Sequence, residues 1–127
     1  MHVATRLPYG APNDHPRLTV LVCHCACPDL DTARRIAERL VGDRLAACAS
    51  ALPGMHSVYR WQGRVERADE ALLLIKTSRE RLPAMVECVR ALHPYELPEV
   101  VAVEAAGGSS VWLDWVVSET AREPASG

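Results

Sequence analysis

Thiols are the side chains of this sequence with the clearest capacity for chemistry. Cys23, Cys25 and Cys27 occupy alternate positions, so a strand that continued through them would place all three on one face, within reach of one soft ion. Cys48 and Cys88 complete the five cysteines. The alternative is that these thiols pack as small apolar groups, since free cysteine is among the most buried residue types. We favour packing for Cys23, Cys27 and Cys88.

An imidazole in a proline-bounded segment is the second candidate. The segment Leu92–Glu99 reads LHPYELPE and brings His93, Tyr95 and Glu96 together. Proline fixes its own φ and moves the preceding residue out of the helical region, so a helix before this segment must end there. A neutral imidazole can ligate a metal or transfer a proton. The alternative for His93 is a hydrogen bond that holds a neighbouring subunit.

Lys76 follows four apolar residues in a predicted strand. Its ammonium must therefore extend to solvent or meet a carboxylate, and Glu70, Glu96 and Glu99 are the candidate partners. A cluster of these groups with Tyr95 and His93 is interpreted as an ion network between subunits, in preference to a binding site for an anion or a small ligand.

Apolar periodicity predicts the elements of the first half of the chain. Leu18–Cys23 is a continuous apolar run typical of a buried strand. Asp29 is a predicted N-cap, and apolar residues then recur at helical spacing up to Val41. Ala46–Trp61 is predicted as a strand broken by Pro53-Gly54, and Gln62-Gly63 as a tight turn.

The second half returns to the sheet and ends in a helix. A return strand runs through Ala71–Ile75, and Thr77–Glu80 has capping-box spacing for a helix that reaches Leu92. Val100–Val103 is the fourth strand, and Ser110 is a candidate cap for the last helix. The order β-α-β-β-α-β predicts an α+β, ferredoxin-like sandwich with a long central hairpin and a C-terminal helix.

Oligomerisation follows from this arrangement. Two helices on one face of the sheet leave the other face to be covered, and a long hairpin cannot bury itself in a small monomer. We therefore expect the hairpin arms to pair with another subunit. Tyr59 and Trp61, on one face of the hairpin, are interpreted as packing anchors across subunits rather than as a ligand box. The predicted cleft contains Tyr59, Trp61, Glu70, Lys76, Tyr95 and Glu96.

Composition limits the domain organisation and the class of function. The 127 residues predict one domain over 18–121, with a flexible leader at 1–17 and a flexible tail at 122–127. A net charge of -2 and the absence of phenylalanine argue against nucleic-acid binding. No apolar run is long enough to span a membrane, and no signal peptide is expected. An odd number of cysteines then favours reduced thiols in the cytoplasm.

Four blocks, taken in order, give the chain its family resemblance: Leu45–Cys48, Pro53–Gly63, Glu70–Thr77 and His93–Glu99. With them the sequence resembles the CutA family, the divalent-cation tolerance proteins, over about residues 18 to 120. The resemblance implies a ferredoxin-like subunit in a homotrimer built by strand pairing. It also implies a cytoplasmic protein linked to copper and other divalent metals, with no agreed enzymatic activity.

The resemblance also implies metal ligands. Cys25 aligns with a family cysteine after the first strand, and Cys48 aligns with the cysteine of the LAAC block. With His93 they form the predicted metal set. Some relatives carry a second histidine just before the HPY block, where this chain has Leu92, so no ligand is assigned at that position.

The predicted function is therefore that of a cytosolic, trimeric divalent-cation tolerance protein. It would bind copper or other divalent metal ions and take part in the response to metal ions. The alternative is a trimeric module like the PII signalling proteins, which would bind a small ligand at subunit clefts without catalysis. No phosphate-binding glycine loop of the P-loop type supports that alternative. Catalysis is not expected, because no nucleophile–base motif of known spacing is present.

Overall fold

A computed structural model of the protein describes residues 9–10 and 19–122. The remaining residues of the predicted leader and tail lie outside this part of the chain. The described elements are β1 (Tyr9–Gly10), β2 (Val20–Cys27), α1 (Leu30–Gly42), β3 (Cys48–Trp61), β4 (Arg64–Ser78), a 3-10 turn (Arg79–Arg81), α2 (Leu82–Leu92), β5 (Val100–Glu104), β6 (Gly108–Ser109) and α3 (Ser110–Glu119). This confirms the predicted α+β class.

The central sheet has the strand order β3-β4-β2-β5, with every neighbouring pair antiparallel. A second, two-stranded sheet pairs β1 with β6. Successive side chains of a strand point to opposite faces, so the register assigns each residue to a face. The helix face carries Cys23, Cys25, Leu73 and Ile75. The open face carries His24, Leu72, Leu74 and Lys76.

The main core lies between the helix face and the helices α1 and α2. It is apolar on both sides, because every second residue of β2 and β4 meets an apolar stripe of the two helices. Leu73, Ile75, Met85 and Val89 are fully buried. Each such side chain contributes roughly 1.5–3 kcal/mol by leaving water.

Among the described residues, the open face is covered at one end only. α3 packs there through Val116 onto Val20, and Thr120 donates a hydrogen bond to Ser78 at 3.0 Å. Elsewhere on this face Val101 is 44% exposed and Val103 is 58% exposed. No helix of the described residues is long and apolar enough to cross a membrane.

The long hairpin of β3 and β4 turns at the predicted dipeptide. Gln62 and Gly63 have φ values of 50° and 78°, the pattern of a type I′ turn, whose twist matches that of the strands. The register between the arms shifts between Leu52 and Met55, around the predicted break. Beyond the shift, Tyr59 pairs with Glu66, and the alternating residues Ser57, Tyr59 and Trp61 share a face.

The structure differs from the prediction at the N-termini of two helices. The capping box does not form, because Thr77 continues β4 and donates its hydroxyl to the carbonyl of Leu45 at 2.8 Å. The following helix α2 starts after Arg81 without a side-chain cap. The last helix is capped by Ser109 rather than Ser110, since the Ser109 side chain accepts from the backbone N–H of Trp112.

The predicted cap of α1 is confirmed. The carboxylate of Asp29 accepts from the backbone N–H of Thr32 at 2.7 Å, and that hydrogen bond holds the pKa of Asp29 below its ordinary value. The charged cap stabilises the fold fully above the unfolded-state pKa of about 3.9, and this contribution is lost as pH falls through the lower folded-state pKa.

We expect Asp29→Ala to lower the melting temperature by a few degrees at pH 7, because the first turn of α1 loses its acceptor. Asp29→Asn keeps a neutral acceptor and serves as the matched control. The difference between Asp29→Ala and the unaltered protein should shrink in thermal melts as pH falls from 5 to 3. A difference that stays constant over this range would contradict the assigned role.

Candidate functional site

One group of side chains among the described residues can hold a metal ion by geometry. Its members are Cys25, Cys27 and His93, whose ligand atoms all lie within 4.8 Å of one another. Both cysteines lie at the end of β2, and His93 is the residue that follows α2. All three residues are buried. The structure thus brings together two of the predicted ligands, Cys25 and His93, and adds Cys27.

The imidazole of His93 is fixed by hydrogen bonds within its own chain. The backbone of His93 is extended, as expected before Pro94. The backbone N–H of His93 donates a hydrogen bond to the carbonyl of Val89 at 2.8 Å. The backbone N–H of Tyr95 donates to Nδ1 at 3.1 Å, so Nε2 carries the proton and donates to the carbonyl of Ala26 at 2.8 Å. Since both ring nitrogens are already engaged, a metal ligated by His93 would replace one of these hydrogen bonds.

The two thiols of this group differ in acidity. A hydrogen bond with Cys27, reinforced by burial, raises the pKa of Cys25. The same hydrogen bond lowers the pKa of Cys27, although burial opposes that effect. Cys27 is thus the thiol that ionises first, and a thiolate is the form that binds soft metals. Burial raises the pKa of the third thiol on this face, Cys23, to about 11.

Cys27 is the residue of the group that sequence reasoning did not select. Its spacing of two residues from Cys25 was the available signal, because that spacing places both thiols on one face only if the strand continues to Cys27. β2 does continue to Cys27, which pairs with Ala71 on the helix face.

Cys48 lies apart from this group. It pairs with Lys76, whereas Cys25 pairs with Leu73, so the two cysteines belong to opposite faces of the sheet. Within one chain, Cys48 therefore does not join Cys25 and His93. It is half-buried on the open face.

A cavity of about 680 Å³ lies on the other side of the LHPYELPE segment. Of the six residues predicted for a cleft, five line it: Tyr59, Trp61, Glu70, Tyr95 and Glu96. The sixth, Lys76, does not. Its ammonium donates to the hydroxyl of Ser50 at 3.1 Å in an exposed hydrogen bond. Of the two predicted outcomes, extension to solvent or contact with a carboxylate, the contact with a carboxylate is not made in the described part of the chain.

Tyr95 lies between the cavity and the buried group of Cys25, Cys27 and His93. Its hydroxyl donates to the Glu70 carboxylate at 2.8 Å, and its ring lies 4.6 Å from the ring of His93, centroid to centroid. Burial and the bond to Glu70 raise the pKa of Tyr95 above its ordinary value, so the phenol keeps its proton. In the LHPYELPE segment, His93 thus lies beside the thiols of β2, whereas Tyr95 and Glu96 line the cavity.

An antiparallel sheet with two helices on one face, a long hairpin and a buried Cys/His group define an α+β protein with a candidate soft-metal centre. The sequence model of one family, described as CutA1 divalent ion tolerance protein, matches residues 21–119. The chain belongs to the CutA family.

Individual relatives agree with this assignment. The divalent-cation tolerance protein CutA of Thermus thermophilus is 48% identical over 93 residues, which cover 73% of this chain and 90% of that protein. The crystal structure of CutA from Xylella fastidiosa superposes with a TM-score of 0.79 at 44% identity, covering 81% of this chain and 99% of the other. The chloroplastic CutA of Arabidopsis thaliana is 38% identical, and the match spans 55% of its length.

Proposed function

We propose that this protein binds copper or another divalent metal ion and takes part in the response to metal ions. The observation that carries the proposal is the buried group of Cys25, Cys27 and His93. Two sulfurs and one imidazole nitrogen form a donor set that favours copper(I) and zinc over hard cations such as magnesium. Membership of a family described by divalent-ion tolerance supports the same conclusion.

We further propose that the protein acts as a cytoplasmic homotrimer of ferredoxin-like subunits. The strand order β3-β4-β2-β5, with both central helices on one face, supports the ferredoxin-like class. The exposed apolar residues of the open face support assembly, because a second copy of the chain would remove them from water. Cys48 and Lys76 lie on this face, so a neighbouring chain could supply the carboxylate that Lys76 does not meet in the described part of its own chain.

Binding rather than catalysis is the role that we assign to the thiol group. A cysteine and a histidine this close also occur in nucleophilic enzymes. Here, however, Cys25 and Cys27 are fully buried, and both ring nitrogens of His93 are bonded to backbone groups. A substrate carbon therefore has no approach to either sulfur, whereas an ion needs only a small opening between the donors.

A competition titration with copper(I) tests the proposal. The reduced protein should bind one ion per chain, and Cys25→Ser should weaken binding by roughly 100-fold, since even outer-shell changes cost about 10–100-fold in metal affinity. Cys88→Ser is the matched control, because Cys88 lies in α2 outside the group, and it should leave affinity unchanged.

The Cys48→Ser variant tests whether a second chain contributes a ligand. Weakened binding in that variant would place Cys48 at an intersubunit site, and unchanged binding would restrict the site to Cys25, Cys27 and His93. Copper(I) binding that is absent, or that Cys25→Ser leaves intact, would contradict the proposed function.

A further inference from the structure

The two hydrogen bonds of the His93 ring fix the position of its proton. A neutral imidazole has one N–H and one lone pair, and they are on different nitrogens. In His93 the N–H is at Nε2 and donates to the carbonyl of Ala26 at 2.8 Å. The lone pair is at Nδ1 and accepts the backbone N–H of Tyr95 at 3.1 Å. The ring therefore has no free nitrogen for an ion.

Ligation of an ion by His93 removes the bond to Tyr95, whichever ring nitrogen holds the ion. Histidine ligates metals in its neutral form, through the nitrogen that carries no proton. An ion on Nδ1 takes the lone pair that accepts the N–H of Tyr95. An ion on Nε2 requires the ring proton to leave Nε2 for Nδ1, and Nδ1 then faces the Tyr95 N–H as a second donor. In both cases the backbone N–H of Tyr95 loses its acceptor.

Few other bonds hold Tyr95 and its neighbours in place. The phenol hydroxyl donates to Glu70 at 2.8 Å, and the phenol ring lies 4.6 Å from the ring of His93, centroid to centroid. Among the described residues, no backbone–backbone hydrogen bond involves residues 94–99, and pairing with the sheet resumes at Val100. Segments with so few backbone hydrogen bonds open at a low cost in free energy.

Tyr95 also has room to move. It is 36% exposed, so solvent can replace the acceptor that its N–H loses. Its hydroxyl bond joins two elements that are distant in sequence, because Glu70 belongs to β4 and Tyr95 follows α2. A displacement of Tyr95 therefore separates the segment from the hairpin at this point.

From these observations we infer that the segment 93–99 responds to the bound metal. An ion held by Cys25, Cys27 and His93 displaces Tyr95 from the His93 ring and breaks the bond between Tyr95 and Glu70. This inference rests on the proposed metal site and adds a means by which a buried ion changes the protein surface, since Tyr95 lines the cavity. The coupling is reciprocal, so the bond between Tyr95 and Glu70 opposes metal binding.

Amide hydrogen exchange of the unaltered, reduced protein tests the inference. It is measured by nuclear magnetic resonance under anaerobic conditions, without metal and with one equivalent of copper(I) per chain. We expect the amide of Tyr95 to exchange roughly tenfold faster in the loaded protein, because its hydrogen bond is lost. The amide of His93 is the internal control. Its acceptor is the carbonyl of Val89, so it should not exchange faster.

The Tyr95→Phe variant tests the reciprocal effect on metal affinity. It keeps the ring and the backbone N–H but removes the hydroxyl that bonds to Glu70. Copper(I) binding should become roughly threefold to tenfold tighter, since the bond that opposes it is gone. If Tyr95 only supported the site, the same variant would bind copper(I) more weakly. Tyr59→Phe removes a hydroxyl from the hairpin wall of the cavity and should leave the affinity unchanged.

The results separate this inference from the proposed function. Copper(I) binding that is absent from the unaltered protein would overturn both. Binding that depends on Cys25, with Tyr95 exchange unchanged or slower in the loaded protein, would overturn the inference and leave the proposed function intact. Tyr95→Phe binding that is no tighter than that of the unaltered protein would overturn the reciprocal coupling. The exchange measurement needs no variant, so it decides the matter even if Tyr95→Phe does not fold.

Discussion

Replacement of Leu74 by arginine is expected to convert the proposed trimer into folded monomers. Leu74 lies at the centre of the open face, with His24 and Ser50 as its cross-strand partners, and it is only half-buried within one chain. In a single chain the guanidinium can reach water. In an interface it would be buried without a partner, at a cost of several kcal/mol for each ion, and a trimer would bury three of them.

Sedimentation velocity measures the outcome directly, with far-UV circular dichroism as the check that the monomer stays folded. Val41→Arg is the matched control, since Val41 is 41% exposed on α1, away from the open face. This variant adds the same charge and should assemble as the unaltered protein does. A variant Leu74→Arg that sediments as three chains would show that another surface forms the assembly. An unaltered protein that sediments as one chain would contradict the trimer itself.

The order of the elements was predictable because the signals are local. The apolar run at β2, the Asp29 cap and the Gln62-Gly63 turn each depend on a few adjacent residues, and all three are present in the structure. The failed capping box shows the limit of this reasoning. Thr77 has the right spacing, but its hydroxyl is used 32 positions away, at Leu45, because β4 continues through it.

The cysteines show that a metal site cannot be predicted from the sequence until the alignment of neighbouring strands is known. Cys25 and Cys48 were assigned to one metal set, yet the face on which each lies depends on how β2, β3 and β4 are aligned. A shift of one residue exchanges the two faces of a strand. The observed register places Cys25 beside Leu73 and Cys48 beside Lys76, on opposite sides.

The LHPYELPE segment was predictable in conformation but not in its contacts. Pro94 fixes the extended backbone of His93, as expected. The partner of the His93 ring is the carbonyl of Ala26, which becomes accessible because β5 begins at Val100, opposite Cys25, and β2 extends past it. Whether this carbonyl is left unpaired by β5 depends on where β2 ends and where β5 begins, and these positions are far apart in the sequence. Within one chain both ring nitrogens of His93 are hydrogen-bonded, and the predicted bond to another subunit stays a prediction.

Truncation of Leu73 to alanine is expected to cost about 2–5 kcal/mol of unfolding free energy. Leu73 is fully buried at the centre of the sheet, between its cross-strand partners Cys25 and Ala51, under α1 and α2. Its neighbours are held by the sheet, so they cannot close the space that the side chain leaves. Val41→Ala, at a partly exposed position of α1, should cost less than about 1 kcal/mol and is the control.

Denaturant unfolding of the reduced protein measures this loss, at one fixed chain concentration because subunit association contributes to apparent stability. The same variant separates packing from ligation. Leu73→Ala leaves both thiols in place beside the new space, so copper(I) affinity should fall far less than in Cys25→Ser, although stability falls substantially. A stability loss below 1 kcal/mol would contradict a rigid core at this position. A loss of copper(I) affinity as large as that of Cys25→Ser would mean that tight packing around Cys25, as much as its thiol, determines metal binding.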